Sequence, residues 1–208
     1  MFERKKIGIM GGSFNPIHNG HLIMAENARI QYNLDKVWFM PNGNPPHKDL
    51  SGMPDGETRC RMTLLAISDN PYFELSRHEI DKKEVSYTYA SLGSLKKKHP
   101  NVDFYYIMGG DSVYNFKHWV HPEIIAGLCT ILAAPREEIH DDKLKAAVKE
   151  LWDKYRADIR IIDIPSFDVS SFLIRERIQT NLPIKYLVPA KVEQYIRENK
   201  LYENRTGE

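Results

Sequence analysis

Two histidines three residues apart, His18 and His21, follow the glycine turn Gly11-Gly12-Ser13-Phe14-Asn15-Pro16 that closes the first apolar run of the chain. Pro16 reads as a first-turn residue, which places both imidazoles near a helix N-terminus on one face. Backbone N–H groups and the positive end of the helix dipole favour an anion there, and two imidazoles add movable donors for the same oxygens. Other readings compete. Zinc would need a third protein ligand, and the pair is not H-E-x-x-H; two histidines one turn apart are also common as plain structural residues. Gly20 between them favours a site, because glycine in a first helical turn weakens the helix unless something must approach closely. Neither G-x-G-x-x-G nor G-x-x-x-x-G-K-[ST] occurs, so this is not one of the common phosphate loops.

A second polar cluster lies far along the chain, at Val169-Ser170-Ser171-Phe172-Leu173-Ile174-Arg175. Its serines can simply cap a helix. With the first N–H groups they can also bind phosphate oxygens, and Arg175 about a turn along could reach the same anion. Between the two clusters, Pro41 to Thr58 holds four prolines and three glycines in 18 residues. Loops of that length are often lids or binding loops, and His47-Lys48 within it could close over a phosphate group. Trp119 sits in a polar, His-rich stretch (Lys117-His118-Trp119-Val120-His121) and suits stacking, whereas Trp38 and Trp152 read as ordinary core aromatics.

These residues need a scaffold, and the hydrophobic pattern supplies one. Apolar, β-branched runs at Lys6–Met10, Lys36–Met40, Tyr72–Arg77, Val102–Met108, Thr130–Ala134 and Ile159–Ile164 read as strands. Helical patterns fall at Leu22–Gln31, Thr58–Ser68, Tyr87–Lys98 and Asp141–Tyr155, then at Ser170–Gln179 and Ala190–Asn199. The alternation predicts an α/β fold, a doubly wound parallel sheet with helices on both faces. One domain is expected, with residues 1–165 as the parallel core and 166–208 as a small helical segment. In such sheets ligands bind beyond the carboxyl ends of the strands, which is where the Gly, Asn, Ser, His and Asp residues cluster. Gly109-Gly110-Asp111 after the fourth strand belongs to this edge, although Asp111 could merely cap the next helix.

Composition narrows the partners. The 208 residues carry 29 Lys+Arg against 28 Asp+Glu, a net charge of +1, with 42% hydrophobic and 27% charged residues. That is a globular composition. Near-zero net charge argues against duplex nucleic acid as a partner but allows a small anionic ligand. Two cysteines, Cys60 and Cys129, with no C-x-x-C spacing, make neither a disulfide framework nor a cysteine zinc site. No apolar run reaches signal-peptide or membrane-span length, so a cytoplasmic protein with no membrane partner is expected.

The eleven residues Gly11 to His21 resemble the signature of the nucleotidylyltransferase superfamily, whose core is H-x-G-H, matching at Phe14, Pro16, His18, Gly20 and His21. Val169–Arg175 resembles that family's I-S-S-T-x-x-R, with Phe172 where the family usually has Thr. Pro41–Lys48 is similar to the P-x-x-x-P-P-H-K segment of the bacterial nicotinate-nucleotide adenylyltransferases. Arg61-Met62, Ser86-Tyr87-Thr88, Gly109-Gly110-Asp111 with Trp119, and Tyr186-Leu187-Val188-Pro189 with the tail through Leu201-Tyr202 resemble them too. The resemblance spans Lys6 to Tyr202.

It implies a Rossmann-like fold and adenylyl transfer from ATP, bound with Mg2+, to nicotinate mononucleotide, releasing pyrophosphate without a covalent enzyme intermediate. It implies His18, His21, Lys48 and Arg175 as catalytic residues, and Gly11, Ser13, Phe14, Gly109, Asp111, Ser170 and Ser171 around ATP. Asn42, Thr88, Tyr89 and Trp119 would surround the acceptor, with Trp119 stacked on the pyridine ring. No metal ligand of the protein itself is implied, and a homodimer is allowed. The family often carries R-P-G after its fifth strand; Arg136 stands two places later than that arginine, so its role is not carried over. The rival expectations are another acceptor (nicotinamide mononucleotide or phosphopantetheine), a nucleotide-binding module without catalysis, and a zinc protein built on His18 and His21.

Overall fold

The computed structural model describes residues 4–44, 52–82, 85–135, 141–165 and 168–203. Six strands form one parallel sheet: β1 (Lys5–Gly12), β2 (Lys36–Pro41), β3 (Phe73–Leu75), β4 (Val102–Gly109), β5 (Thr130–Ala134) and β6 (Ile159–Ile161), in the spatial order β3-β2-β1-β4-β5-β6. The chain builds outward from β1 in one direction, then returns to its other side and builds outward again. The two halves diverge between β1 and β4, whose register pairs Met10 with Ile107. A crevice opens at the carboxyl ends at such a switch point.

Side chains alternate across each strand, and here the alternation feeds two separate cores. Met10, Val37, Phe39 and Ile107 face one cluster; Ile7, Ile9, Met40, Phe104, Tyr106, Met108 and Ile131 face the other. Helices α1 (Asn19–Gln31), α2 (Gly56–Ile67), α7 (Ser171–Gln179) and α8 (Ala190–Glu198) cover the first face through Ala25, Ala28, Met62, Ile174, Val192 and Ile196. Helices α3 (Thr88–Lys98), α4 (Gly110–Asn115), α5 (Pro122–Leu128) and α6 (Asp141–Tyr155) cover the second through Leu92, Val113, Ile125, Leu144 and Leu151. Ile9, Phe39 and Ile131 are fully buried, each contributing roughly 1.5–3 kcal/mol by removal from water. No helix among the described residues is long and apolar enough to cross a membrane.

The sequence reading and the structure differ in four places. The edge strands are short: β3 and β6 have three residues each, against the longer Tyr72–Arg77 and Ile159–Ile164 expected. Each pairs on one side only, and Ile162 already turns into the core beneath the sheet. Helices α4 and α5 were not expected, because Gly110 and Pro122 open them and read as loop residues. Pro16 is not in a helical turn. His18 is extended (φ −145°) and is the N-cap of α1, so the helix begins only at Asn19. Trp152 is not a core residue but 48% exposed. The buried face of α6 runs through Leu144 and Leu151, a two-turn repeat, and Trp152 falls one position beyond it.

His78, after β3, gives the fold a pH dependence. Burial, then the charges of Lys82, Lys98 and His99, hold its imidazole down to a pKa of about 4, and it lies 2.9 Å from the Lys82 ammonium. In the unfolded chain it titrates near 6.5. Between these values the unfolded state binds the extra proton, so stability is full above about pH 6.5 and falls as the pH drops toward 4. The melting temperature should therefore decline from pH 7.5 to pH 5, and His78→Gln should make that decline shallower. An equal decline in the variant would remove His78 as its source.

Candidate active site

A cavity of about 890 Å3 lies at the carboxyl ends of β1, β4 and β5, within the upper part of the range for small-molecule sites, about 300–1,000 Å3. Its centre is the segment after β1. Gly11 and Gly12 end the strand; a Cβ on Gly11 would overlap the Tyr106 hydroxyl, so glycine leaves room for that side chain under the loop. Phe14 then adopts a left-handed conformation (φ 46°), costly for a bulky residue. Burial beneath the loop holds it there: its ring packs edge-on against His21, with centroids 5.1 Å apart, and against Phe39 at 6.0 Å.

The histidine pair stands on this base. The two rings stack at 3.7 Å with a 30° tilt. His18 is 4% exposed, and its backbone N–H donates to His21 Nδ1 at 3.2 Å. With Nδ1 accepting, a neutral His21 carries its proton on Nε2 and presents that nitrogen as a donor. Gly20 is buried in the first turn of α1 beside them and lines the cavity.

Three carbonyls of the loop are taken up by donors from distant parts of the chain. Ser13 O accepts from Arg59 Nη1 at 2.9 Å, Asn15 O from Arg175 Nη1 at 2.7 Å, and Pro16 O from Ser171 Oγ at 2.8 Å. These bonds fix the peptide planes on which the histidines are mounted. Arg59, on α2, is 2% exposed, and burial lowers its pKa from the ordinary guanidinium value. A guanidinium at 12.5 or above stays charged through such a change, so a positive charge lies beneath the loop.

The cavity has two wings. One part of its lining comes from the β2 exit, the start of α3, β4 and the segment before α5: Asn42, Ser86, Tyr87, Thr88, Tyr106, His118, Trp119 and Val120. Asn42 N donates to Gly12 O at 2.8 Å, tying this wing to the loop. Trp119 packs edge-on against Tyr106 at 6.1 Å and against Phe116 at 5.5 Å, so one side of the indole is held by the core while the residue still lines the cavity. Burial pushes the Tyr106 phenol well above its ordinary pKa, against the lowering influence of the neighbouring Thr88 hydroxyl. Toward β5 and β6 the lining is more apolar: Ala134, Pro135, Ile164, Val169 and Phe172. Phe172 is 68% exposed.

Of the expected site residues, Gly11, Ser13, Phe14, His18, His21, Asn42, Thr88, Gly109, Asp111, Trp119, Ser171 and Arg175 all line this one cavity. Two do not. Ser170 caps α7, its hydroxyl accepting from Leu173 N at 3.1 Å, the bland alternative for that serine. Tyr89 packs instead on Tyr87 and His121. Lys48 with His47, Arg136, and much of the Pro41–Thr58 loop lie outside the described residues. Sequence reasoning missed Arg59 and Tyr106. An arginine near a helix start and a tyrosine inside a strand carry no local mark of their tertiary partners.

Residues 9–177 match the model of the cytidylyltransferase-like family. A protein of Lachnoclostridium phytofermentans named probable nicotinate-nucleotide adenylyltransferase is 41% identical over 95% of this chain and 99% of its own length. The nicotinate-nucleotide adenylyltransferase of Bacillus subtilis is 38% identical over 96% of this chain and 100% of its own. Among solved structures, the nicotinic acid mononucleotide adenylyltransferase of Plasmodium falciparum complexed with NaAD superposes with a TM-score of 0.79 over 95% of this chain and 97% of its own, at 22% identity. That last likeness establishes the fold alone.

Proposed function

The chain belongs to the cytidylyltransferase-like family, and from that premise we propose that it transfers the adenylyl group of ATP to nicotinate mononucleotide, giving nicotinate adenine dinucleotide and pyrophosphate. Relatives of that activity align with the chain nearly end to end. The observation that carries the reading is one continuous cavity with the stacked His18–His21 pair at its centre and a wing on either side. Such a shape suits two nucleotides meeting at their phosphates.

In this reading the acceptor phosphate oxygen attacks the α-phosphorus in line. The new bond forms to that phosphorus as its bond to the bridging oxygen breaks, and pyrophosphate leaves with that electron pair. No side chain need become a nucleophile; the protein positions the reactants and stabilises charge. His18 and His21 donate to the phosphate oxygens, Arg175 faces the leaving pyrophosphate, and backbone N–H groups in the first turn of α7, that of Ser171 among them, add donors. The buried Arg59 charge supports the triphosphate from below. Lys48, outside the described residues, is assigned to closing over the phosphates. Trp119 stacks on the pyridine ring, with Asn42 and Thr88 beside the acceptor; adenine takes the apolar wing against Ile164, Val169 and Phe172, with Asp111 and Gly109 on the nucleotide. Magnesium is assigned to the substrate, arriving on the ATP phosphates. A cytoplasmic location fits this use of free nucleotides.

The test is pyrophosphate release from ATP and magnesium with nicotinate mononucleotide, nicotinamide mononucleotide or phosphopantetheine as acceptor. The first should give the highest kcat/KM. Release with phosphopantetheine alone, or with none of the three, would sink the assignment.

A further inference from the structure

Glu79 is 4% exposed and lies outside the cavity lining, in the turn between β3 and α3. A buried carboxylate is costly unless its oxygens are satisfied. Ser91 Oγ, one turn into α3, donates to Glu79 Oε1 at 2.8 Å, and Gly43 and Ser86 lie near enough to hold the carboxyl pKa down against burial. The Ser86 hydroxyl oxygen accepts from Asn44 N at 3.3 Å. Ser86 N in turn donates to Asn44 O at 2.9 Å. The packing is equally tight: a Cβ on Gly43 would overlap the Glu79 carbonyl oxygen and come within 2.9 Å of Ser86 Oγ.

Both segments gathered by this carboxylate face the cavity. Asn42 belongs to the first, after β2, while Ser86, Tyr87 and Thr88 belong to the second, at the start of α3. We propose that Glu79 is a positioning residue that presets the acceptor wing, clamping the β2 exit to the start of α3 so that Asn42 and Thr88 stand ready before the acceptor arrives. The carboxylate is suited to this because its oxygens can accept from donors on different segments, with Ser91 on α3 and Gly43 after β2 both packed against Glu79. Burial raises its pKa, and the neighbouring Ser91, Gly43 and Ser86 groups work against that rise. The residues held by the clamp, Gly43, Asn44, Ser86 and Ser91, belong to the two segments that carry Asn42 and Thr88, so the effect is expected on the acceptor and not on ATP.

The inference rests on the adenylyl-transfer reading, and steady-state kinetics in both substrates test it. Glu79→Gln keeps the shape but turns one acceptor into a donor facing Gly43 N–H, Ser86 or Ser91. The expected result is a KM for nicotinate mononucleotide raised about tenfold, the order of one lost hydrogen bond to a charged group, with the KM for ATP within about twofold of wild type. Glu79→Asp should restore part of the acceptor KM. Gly43→Ala, which attacks the clamp from the other side, should reproduce the same split, and serves if Glu79→Gln does not fold. Equal rises in both KM values, a loss confined to kcat, or no change would overturn the proposal. Absence of turnover in the wild-type protein would instead defeat the functional reading itself.

Discussion

Replacing His21 with alanine is expected to lower kcat about 10²-fold or more, the order found for removing one preorganised transition-state donor, while moving the melting temperature by only a few degrees. The geometry sets both halves of that expectation. His21 Nδ1 is occupied by the backbone of His18, so the ring turns Nε2 outward as a donor of fixed direction. Charge developing on the α-phosphate oxygens would meet it without reorganisation. Removing the ring deprives the His18 N–H of its acceptor, about 1 kcal/mol, or roughly 2–4 °C for a chain of this size. His18→Ala should cost as much in rate and more in stability, because His18 is buried and its removal leaves a void. Initial rates at saturating substrates and thermal melts of both variants check the pair. A wild-type rate in His21→Ala would show that the stacked imidazoles serve the loop's structure and not its chemistry.

Arg175→Ala carries the second large effect, a fall of about 10²-fold in kcat/KM. Two losses combine. The guanidinium lines the cavity, where the proposed reaction gives it a phosphate to meet, and it also holds the Asn15 carbonyl at 2.7 Å. Arg175→Lys separates them, since an ammonium keeps the charge but cannot serve carbonyl and phosphate through one planar fork. It should recover only part of kcat/KM, with the KM for ATP still raised. If Arg175→Ala changed the melting temperature but left kcat/KM untouched, the arginine would be a structural tie and nothing more.

Much of this was legible in the sequence because the period-2 and period-3.6 patterns are strong in the centre of the sheet. β5 begins and ends where its apolar run does, and α6 where its helical pattern does. The pattern weakened at the edges, where β3 and β6 pair on one side only, and at α4 and α5, where Gly110 and Pro122 resemble loop punctuation. The two signature halves were legible as types and spacings. What they could not reveal was how they are joined, since the Arg59–Ser13, Arg175–Asn15 and Ser171–Pro16 bonds follow from tertiary proximity. Ser170 illustrates the limit: a serine at a helix start looks the same whether it meets a ligand or caps the helix, and here it caps. Glu79 was invisible for a related reason, as an acidic residue in a polar stretch gives no sign that it will be buried.

The ties across the central loop also bear on how the protein is made. Ser171 and Arg175 grip carbonyls 155 and 160 residues upstream. A chain emerging from the ribosome can form β1, α1 and the Arg59–Ser13 tie early, but the Asn15 and Pro16 carbonyls wait for Arg175 and Ser171 to be made. Contacts of such separation are closed late and slowly. A product terminated before Ser171 therefore carries both histidines, and the bond between them, on a loop that lacks two of its three carbonyl ties.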